Sequence, residues 1–203
     1  MFRSIRYALT AAALLAVPAF AHGAEISRED FMKYLETQDA LQDERVLKMP
    51  EAQRIPKIAA MNFKMKGPEL QAILDRVEAA GGKEKLAAET KASVESALKG
   101  TEIGARLKEV RIDTSSPHVV TYVKWQVDTN RLEEEAALIA AKLGQSDKYA
   151  STFYFQAVDG SGADVWRAKL GADRTNNIKE ERIKMFAKRN YYRFFEVERD
   201  ARN

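Results

Sequence analysis

The sequence predicts an α+β fold built around a four-stranded antiparallel sheet, made of two hairpins that are joined by a helix. Three observations carry this prediction: a two-residue alternation over 119–127, turn-forming residues at 114–117 and 159–162, and helical spacing of apolar residues over 130–143. One helix between two hairpins can lie on one face of the sheet. The other face is then expected to be covered by the flanking helices.

The first hairpin is predicted from residues 108–113 and 119–127. In the second of these strands, apolar residues and one threonine alternate with a polar set, namely Val119, Thr121, Val123, Trp125 and Val127 against Tyr122, Lys124 and Gln126. This period is that of a half-buried strand. The linker Thr114-Ser115-Ser116-Pro117 has turn chemistry, because the hydroxyls bond nearby backbone and proline fixes φ.

The connecting helix is predicted to begin at Asn130, with Glu133 spaced as the third residue of a capping box. Three consecutive glutamates, Glu133 to Glu135, suit the positive end of the helix dipole. Apolar residues recur at helical spacing, and Gly144 is expected to end the helix. The second hairpin then follows as strands 150–158 and 165–170 around the turn Asp159-Gly160-Ser161-Gly162.

Helices are expected on both sides of this core. The N-terminal part predicts helices over 28–47, 56–66, 68–80 and 83–99, with prolines at three possible starts. The C-terminal part predicts one helix towards the terminus, or a break at Asn190 followed by a short strand over 191–197. We therefore expect a single domain over 22–203, mainly helical in 22–100, with the sheet core in 101–174 and a helical segment in 175–203.

Residues 1–21 have the pattern of a signal peptide. Arg3 and Arg6 precede an apolar run that ends in Ala19-Phe20-Ala21, a small-x-small cleavage pattern. The run has roughly 14 residues, against the 20 or so that a membrane span needs. Together with the absence of cysteine and of N-x-S/T triplets, this leader predicts export to the periplasm of a Gram-negative bacterium, without disulfides and with no transmembrane span after cleavage.

Charge and composition exclude some classes of function. The chain has 33 basic and 30 acidic residues, and the leader removes two of the arginines, so the mature protein is near neutral. A nucleic-acid partner is therefore not expected. The absence of cysteine also removes thiolate nucleophiles and thiolate metal ligands.

Candidate catalytic and metal residues are sparse, and no catalytic, cofactor or metal site is predicted. His118 follows Ser115 and Ser116, but neighbours in a tight turn seldom reach triad geometry. The 159–164 loop lacks the glutamate of a calcium-binding EF-hand, so a hairpin turn is favoured. Trp125 and Trp166 are expected to pack in the core.

The C-terminal segment carries the strongest surface candidate. Basic residues alternate there with aromatic ones, and the residues predicted to bind a partner are Arg189, Tyr191, Tyr192 and Arg193. Arginine and tyrosine are enriched at interfaces. The partner is expected to be another envelope protein or an acidic ligand.

The function predicted from the sequence is that of an exported, non-catalytic periplasmic binding or assembly protein. The alternative is a periplasmic hydrolase with a site near His118. The absence of nucleophile, metal-ligand and phosphate-loop motifs favours the first.

Overall fold

The computed structural model describes residues 25–115 and 118–202. The predicted signal peptide and the turn residues Ser116 and Pro117 lie outside the described residues, as does the side chain of Arg189. The α-helices are α1 Arg28–Ala40, α2 Glu44–Leu47, α3 Glu51–Ile58, α4 Gly67–Ala79, α5 Gly82–Lys99, α6 Leu132–Ser146 and α7 Ile183–Phe186. The strands are β1 Leu107–Asp113, β2 Val120–Gln126, β3 Thr152–Val158, β4 Asp164–Gly171 and β5 Glu196–Asp200.

The sheet is five-stranded and mixed, with its strands in chain order from β1 to β5. The prediction of a four-stranded antiparallel sheet is therefore wrong, although the α+β class is confirmed. Both hairpins are present, because β1 pairs antiparallel with β2 and β3 pairs antiparallel with β4. The difference lies between the hairpins, where β2 and β3 run parallel.

The parallel pair follows from the helix that joins the hairpins. A crossover helix returns the chain to the edge at which the previous strand began, so the next strand runs in the same direction when it pairs beside it. Here α6 carries the chain back, and Val120 pairs with Thr152 at one end and Gln126 with Val158 at the other.

The fifth strand comes from the C-terminal segment, where a helix to the terminus was predicted. After α7 the chain makes a π-helical turn over Ala187–Tyr191 and a 3₁₀ turn over Tyr192–Phe194, then pairs antiparallel with β4 as β5. Phe195, which is buried, marks the change from helix to strand. The alternative, a short strand over 191–197, agrees with the structure in the presence of a strand but not in its bounds. The observed strand begins five residues later, at Glu196.

The core lies on one face of the sheet. Side chains from β2, β3 and β4 pack with α5 and α6, and the C-terminal turns also contact α6. Trp125 and Trp166 are fully buried there with ring centroids 6.2 Å apart, which confirms their predicted place in the core. The flanking helices are expected to cover the second face, and this is wrong: Val158 at the end of β3 is buried, but the other described side chains of β1 to β4 that point to that face are not.

The N-terminal helices build a second hydrophobic cluster instead of a second layer. Phe31 of α1 and Leu70 of α4 are buried in it, and Val119 and Tyr149 join it to the sheet at the starts of β2 and β3. Among the helices of residues 25–115 and 118–202, none is long and apolar enough to cross a bilayer.

Two predicted helix signals act differently in the structure. The side chain of Asp128, and not of Asn130, accepts the first backbone N–H bond at the start of the connecting helix, and a 3₁₀ turn over Thr129–Arg131 precedes α6. Gly144 lies inside α6, which runs on to Ser146. Helix α5 ends at Lys99 with Gly100 as its C-cap, in agreement with the prediction that Gly100 closes this helix.

Candidate functional site on the open face of the sheet

The uncovered face of the sheet carries a row of five side chains that crosses every strand. The pairing register places these residues beside one another in the order Arg111, Tyr122, Tyr154, Lys169 and Glu196. Because alternate residues of a strand point to the same face, this row lies opposite the buried core. We call this surface the open face.

A second row lies directly beside the first. It runs through Glu109, Lys124, Gln156, Arg167 and Arg199. On the other side, Val120 pairs with Thr152 and supplies smaller side chains. The open face is thus aromatic at its centre, and polar and charged around it.

The two tyrosines form the centre of the open face. Their ring centroids are 5.2 Å apart and the rings are tilted by 46°. The guanidinium carbon of Arg111 lies 3.9 Å from the centroid of the Tyr122 ring, which is cation–π geometry. Arg111 also pairs with Asp113 at 3.1 Å, so its orientation is fixed from two sides.

Tyr154 is held by its hydroxyl group, which donates a hydrogen bond to Glu198 at 2.8 Å. The ammonium of Lys169 pairs with the same carboxylate at 2.5 Å. Burial and the Glu198 carboxylate raise the pKa of Tyr154, while the bonds from Lys169 and Tyr154 lower the pKa of Glu198. Tyr154 is therefore a neutral phenol that is hydrogen-bonded to an ionised carboxylate.

Asp164 organises the second row in the same way. Its carboxylate accepts hydrogen bonds from the Gln156 amide and from the Arg167 guanidinium. These two bonds hold the pKa of Asp164 below its usual value, the Gln156 bond being the larger cause. In this pair the side chain of Arg167 is 40% exposed and that of Asp164 16%, so the cation is the outer partner.

The open face is slightly concave. Its depression has a volume of about 690 Å³ and is lined by residues of all five strands, including Val120, Tyr122, Thr152, Tyr154 and Arg167. A volume of this size falls in the range of small-ligand sites, although this depression is wide and shallow. Such a shape suits a ligand that lies across the strands.

The residues predicted to bind a partner do not all lie at the protein surface. Tyr191 is buried and its hydroxyl accepts a bond from the backbone N–H of Lys179, while the Tyr192 hydroxyl accepts from Trp166 Nε1 and donates to Asp200. Arg193 is exposed, with its guanidinium 5.5 Å from the Phe194 ring. Arg189 lies in the π-helical turn. Partner binding by this segment stays a prediction, and Arg193 is the member whose described side chain is open to solvent.

Two other sequence candidates are His118 and the 159–164 loop. His118 is exposed just before β2. Asp159 accepts bonds from the backbone N–H groups of Ser161 and Ala163, which confirms the hairpin turn. Within residues 25–115 and 118–202 there is no group of three or more His, Asp or Glu side chains placed to hold a metal ion.

Sequence reasoning did not identify the open face as a site. The alternation in β2 places Tyr122 and Lys124 on the polar side of their strand. This alternation is the sequence signal that points to the open face. The neighbours of Tyr122 in the row come from other strands, so the row depends on the parallel pairing of β2 with β3.

Comparison of the chain with protein-family models, with curated proteins and with solved structures finds no significant match.

Proposed function

We propose that this protein is a non-catalytic binding or assembly protein of the bacterial periplasm, and that the open face of its sheet is the surface that meets the ligand. The observation that carries the proposal is the uncovered row Arg111, Tyr122, Tyr154, Lys169 and Glu196. Antiparallel and mixed sheets of this size can leave one face to solvent, but such faces are ordinarily polar. Two adjacent tyrosines at the centre of the sheet are the feature that favours recognition.

The contacts around the tyrosines support binding rather than chemistry. Three cations of the open face are held by a neighbour of opposite charge, in the pairs Arg111–Asp113, Arg167–Asp164 and Lys169–Glu198. Side chains fixed before the ligand arrives lose less entropy on binding. The export signal and the periplasmic location rest on the sequence pattern of residues 1–21.

The hydrolase alternative near His118 stays a prediction from the sequence. A hydrolytic site needs a nucleophile or an activated water beside a general base. The proposal of binding is favoured because the open face has a specific arrangement that crosses all five strands.

In-cell photo-crosslinking tests the proposal. A photoreactive phenylalanine analogue replaces Val120, which lines the depression, and in a matched chain it replaces Ala72, which is exposed on α4. We expect a defined adduct from position 120 and none from position 72. A third chain with the analogue at Arg193 tests the C-terminal segment. Equal adducts from positions 120 and 72, or an adduct at 193 alone, would contradict the proposal.

A further inference from the structure

We infer that the ligand of the open face is a neutral, polyhydroxylated chain of the oligosaccharide class, an inference that rests on the proposed function. The argument comes from the charge balance of the face, from its aromatic centre and from the mixture of donors and acceptors around that centre. Each of these features separates one class of ligand from the others.

The charge balance disfavours a polyanion. The described cations of the face are Arg111, Lys124, Arg167, Lys169 and Arg199, and they are matched in number by the carboxylates Glu109, Asp113, Asp164, Glu196 and Glu198. Binding of a nucleic-acid backbone depends on uncompensated lysine and arginine. Here three of the cations are already paired within the face, namely Arg111, Arg167 and Lys169.

The composition of the face also disfavours an apolar partner. Of the residues that line the depression, one has an aliphatic side chain, Val120, and two are tyrosines; the others are polar or charged. Docking of an amphipathic helix needs a continuous apolar groove. The rings of Tyr122 and Tyr154 are instead surrounded by charged and amide groups.

A sugar chain fits the remaining features of the open face, which are its aromatic centre and its mixture of hydrogen-bond donors and acceptors. The C–H face of a pyranose ring is apolar and packs on an aromatic ring, while its hydroxyl groups both donate and accept hydrogen bonds. Tyr154 supplies an aromatic surface, and Gln156 and Thr152 beside it supply donors and acceptors. Hydrogen bonds to charged groups such as Arg167 are stronger than neutral ones.

The dimensions of the face are also suitable. From β1 to β4 the central row crosses three strand spacings, or about 14 Å at the usual interstrand distance. A short oligosaccharide can lie along this row from Arg111 to Lys169. We place it across the strands because the aromatic pair is oriented in that direction.

Calorimetric titration with two neutral hexasaccharides, one of glucose and one of N-acetylglucosamine, tests the inference, with oligothymidylate as the polyanion. We expect at least one hexasaccharide to bind. Tyr154→Ala should weaken that binding about tenfold, as expected for loss of an aromatic contact, and Tyr154→Phe should weaken it less. Thr152→Arg, which fills the depression and leaves both rings in place, should also weaken it. Arg45→Gln, which breaks an exposed ion pair with Asp43 in the helical part of the chain, should leave it unchanged.

The outcomes separate this inference from the proposed function. Absence of binding by both hexasaccharides overturns the oligosaccharide class, as does salt-sensitive binding of oligothymidylate that Tyr154→Ala removes. If an adduct still forms from position 120 in cells, the open face stands as the binding surface and its ligand belongs to another class. If neither the adduct nor hexasaccharide binding is found, both proposals fail.

Discussion

The carboxylate of Glu135 is completely buried and accepts two hydrogen bonds from the guanidinium of Arg106, at 2.6 and 3.1 Å. Trp125 Nε1 donates a third bond to the same carboxylate at 2.9 Å. Arg106 also donates to the backbone carbonyl of Gln126 at 2.8 Å. This pair therefore fixes α6 to the end of β2 and to the turn before β1, beneath the sheet that carries the open face.

Loss of one partner of this pair should destabilise the protein strongly. Arg106→Leu leaves the buried Glu135 carboxylate without its counter-ion, and such changes cost about 3–5 kcal/mol. Chemical denaturation measures the free energy of unfolding. The matched control is Arg131→Leu, which removes an exposed pair with Glu102 and should cost about 1 kcal/mol or less.

The double variant Arg106→Leu/Glu135→Leu distinguishes pairing from simple loss of packing. Because neither charge then remains buried alone, its cost should be clearly smaller than the sum of the two single costs. Additive costs would show that the two side chains act independently.

A second prediction concerns Gly144, which lies inside α6. Alanine is favoured over glycine in a helix by about 1 kcal/mol, so propensity alone predicts that Gly144→Ala stabilises the protein. However, a Cβ at this position would lie 2.7 Å from the Cβ of Thr175, which packs against the helix. We expect Gly144→Ala to lower the thermal midpoint.

The control for this change is Gly100→Ala, because the nearest atoms to an added Cβ there lie at 3.7 Å. Its thermal midpoint should stay close to that of the wild type. A stabilised Gly144→Ala variant would mean that Thr175 moves aside at little cost.

The third prediction concerns acid stability and Asp200 in β5. The side chain of Arg202 donates to this carboxylate, and its bonds lower the pKa of Asp200 to about 2 from a usual value near 3.8. A pKa that is lower in the folded state adds stability above the unfolded pKa. This stability is lost as pH falls from about 4 through about 2.

Asp200→Asn should therefore be less stable than the wild type at pH 6, and the difference should shrink as the pH approaches 2. Urea unfolding midpoints across this range measure the difference directly. A gap between the two proteins that does not change with pH would show that Asp200 contributes through its hydrogen bonds alone.

The strands of both hairpins could be predicted to within two residues because their signals are local. Alternation defines β2, and the turn at Asp159 separates β3 from β4, whichever strands they pair with. In contrast, β5 has the sequence Glu-Val-Glu-Arg-Asp, which is poor in strand-forming residues. Its strand geometry comes from pairing with β4, which is a tertiary effect.

The topology and the open face depend on the same long-range information. No local pattern states that β3 lies beside β2, and the helix between them makes the pair parallel only once the two strands are neighbours. The position of Tyr154 beside Tyr122 follows from that pairing alone. Gly144 shows the same limitation on a smaller scale, since its role is set by contact with Thr175.

The basic aromatic segment was the most visible surface signal in the sequence, and much of its aromatic character serves the fold. Tyr192 links Trp166 to Asp200, and Tyr191 packs beneath the C-terminal turns. Composition alone does not separate a tyrosine that packs from one that binds. Side-chain burial makes that distinction.

Amide chemical-shift mapping during titration with the hexasaccharide that binds best tests most directly the claim that the open face is the ligand surface. We predict that the perturbed amides lie in β2, β3 and β4 around Tyr122 and Tyr154, and that Tyr154→Ala reduces their shifts at equal ligand concentration. Perturbations centred on the C-terminal segment 187–194, or scattered over the N-terminal helices without a response in β2 and β3, would contradict it.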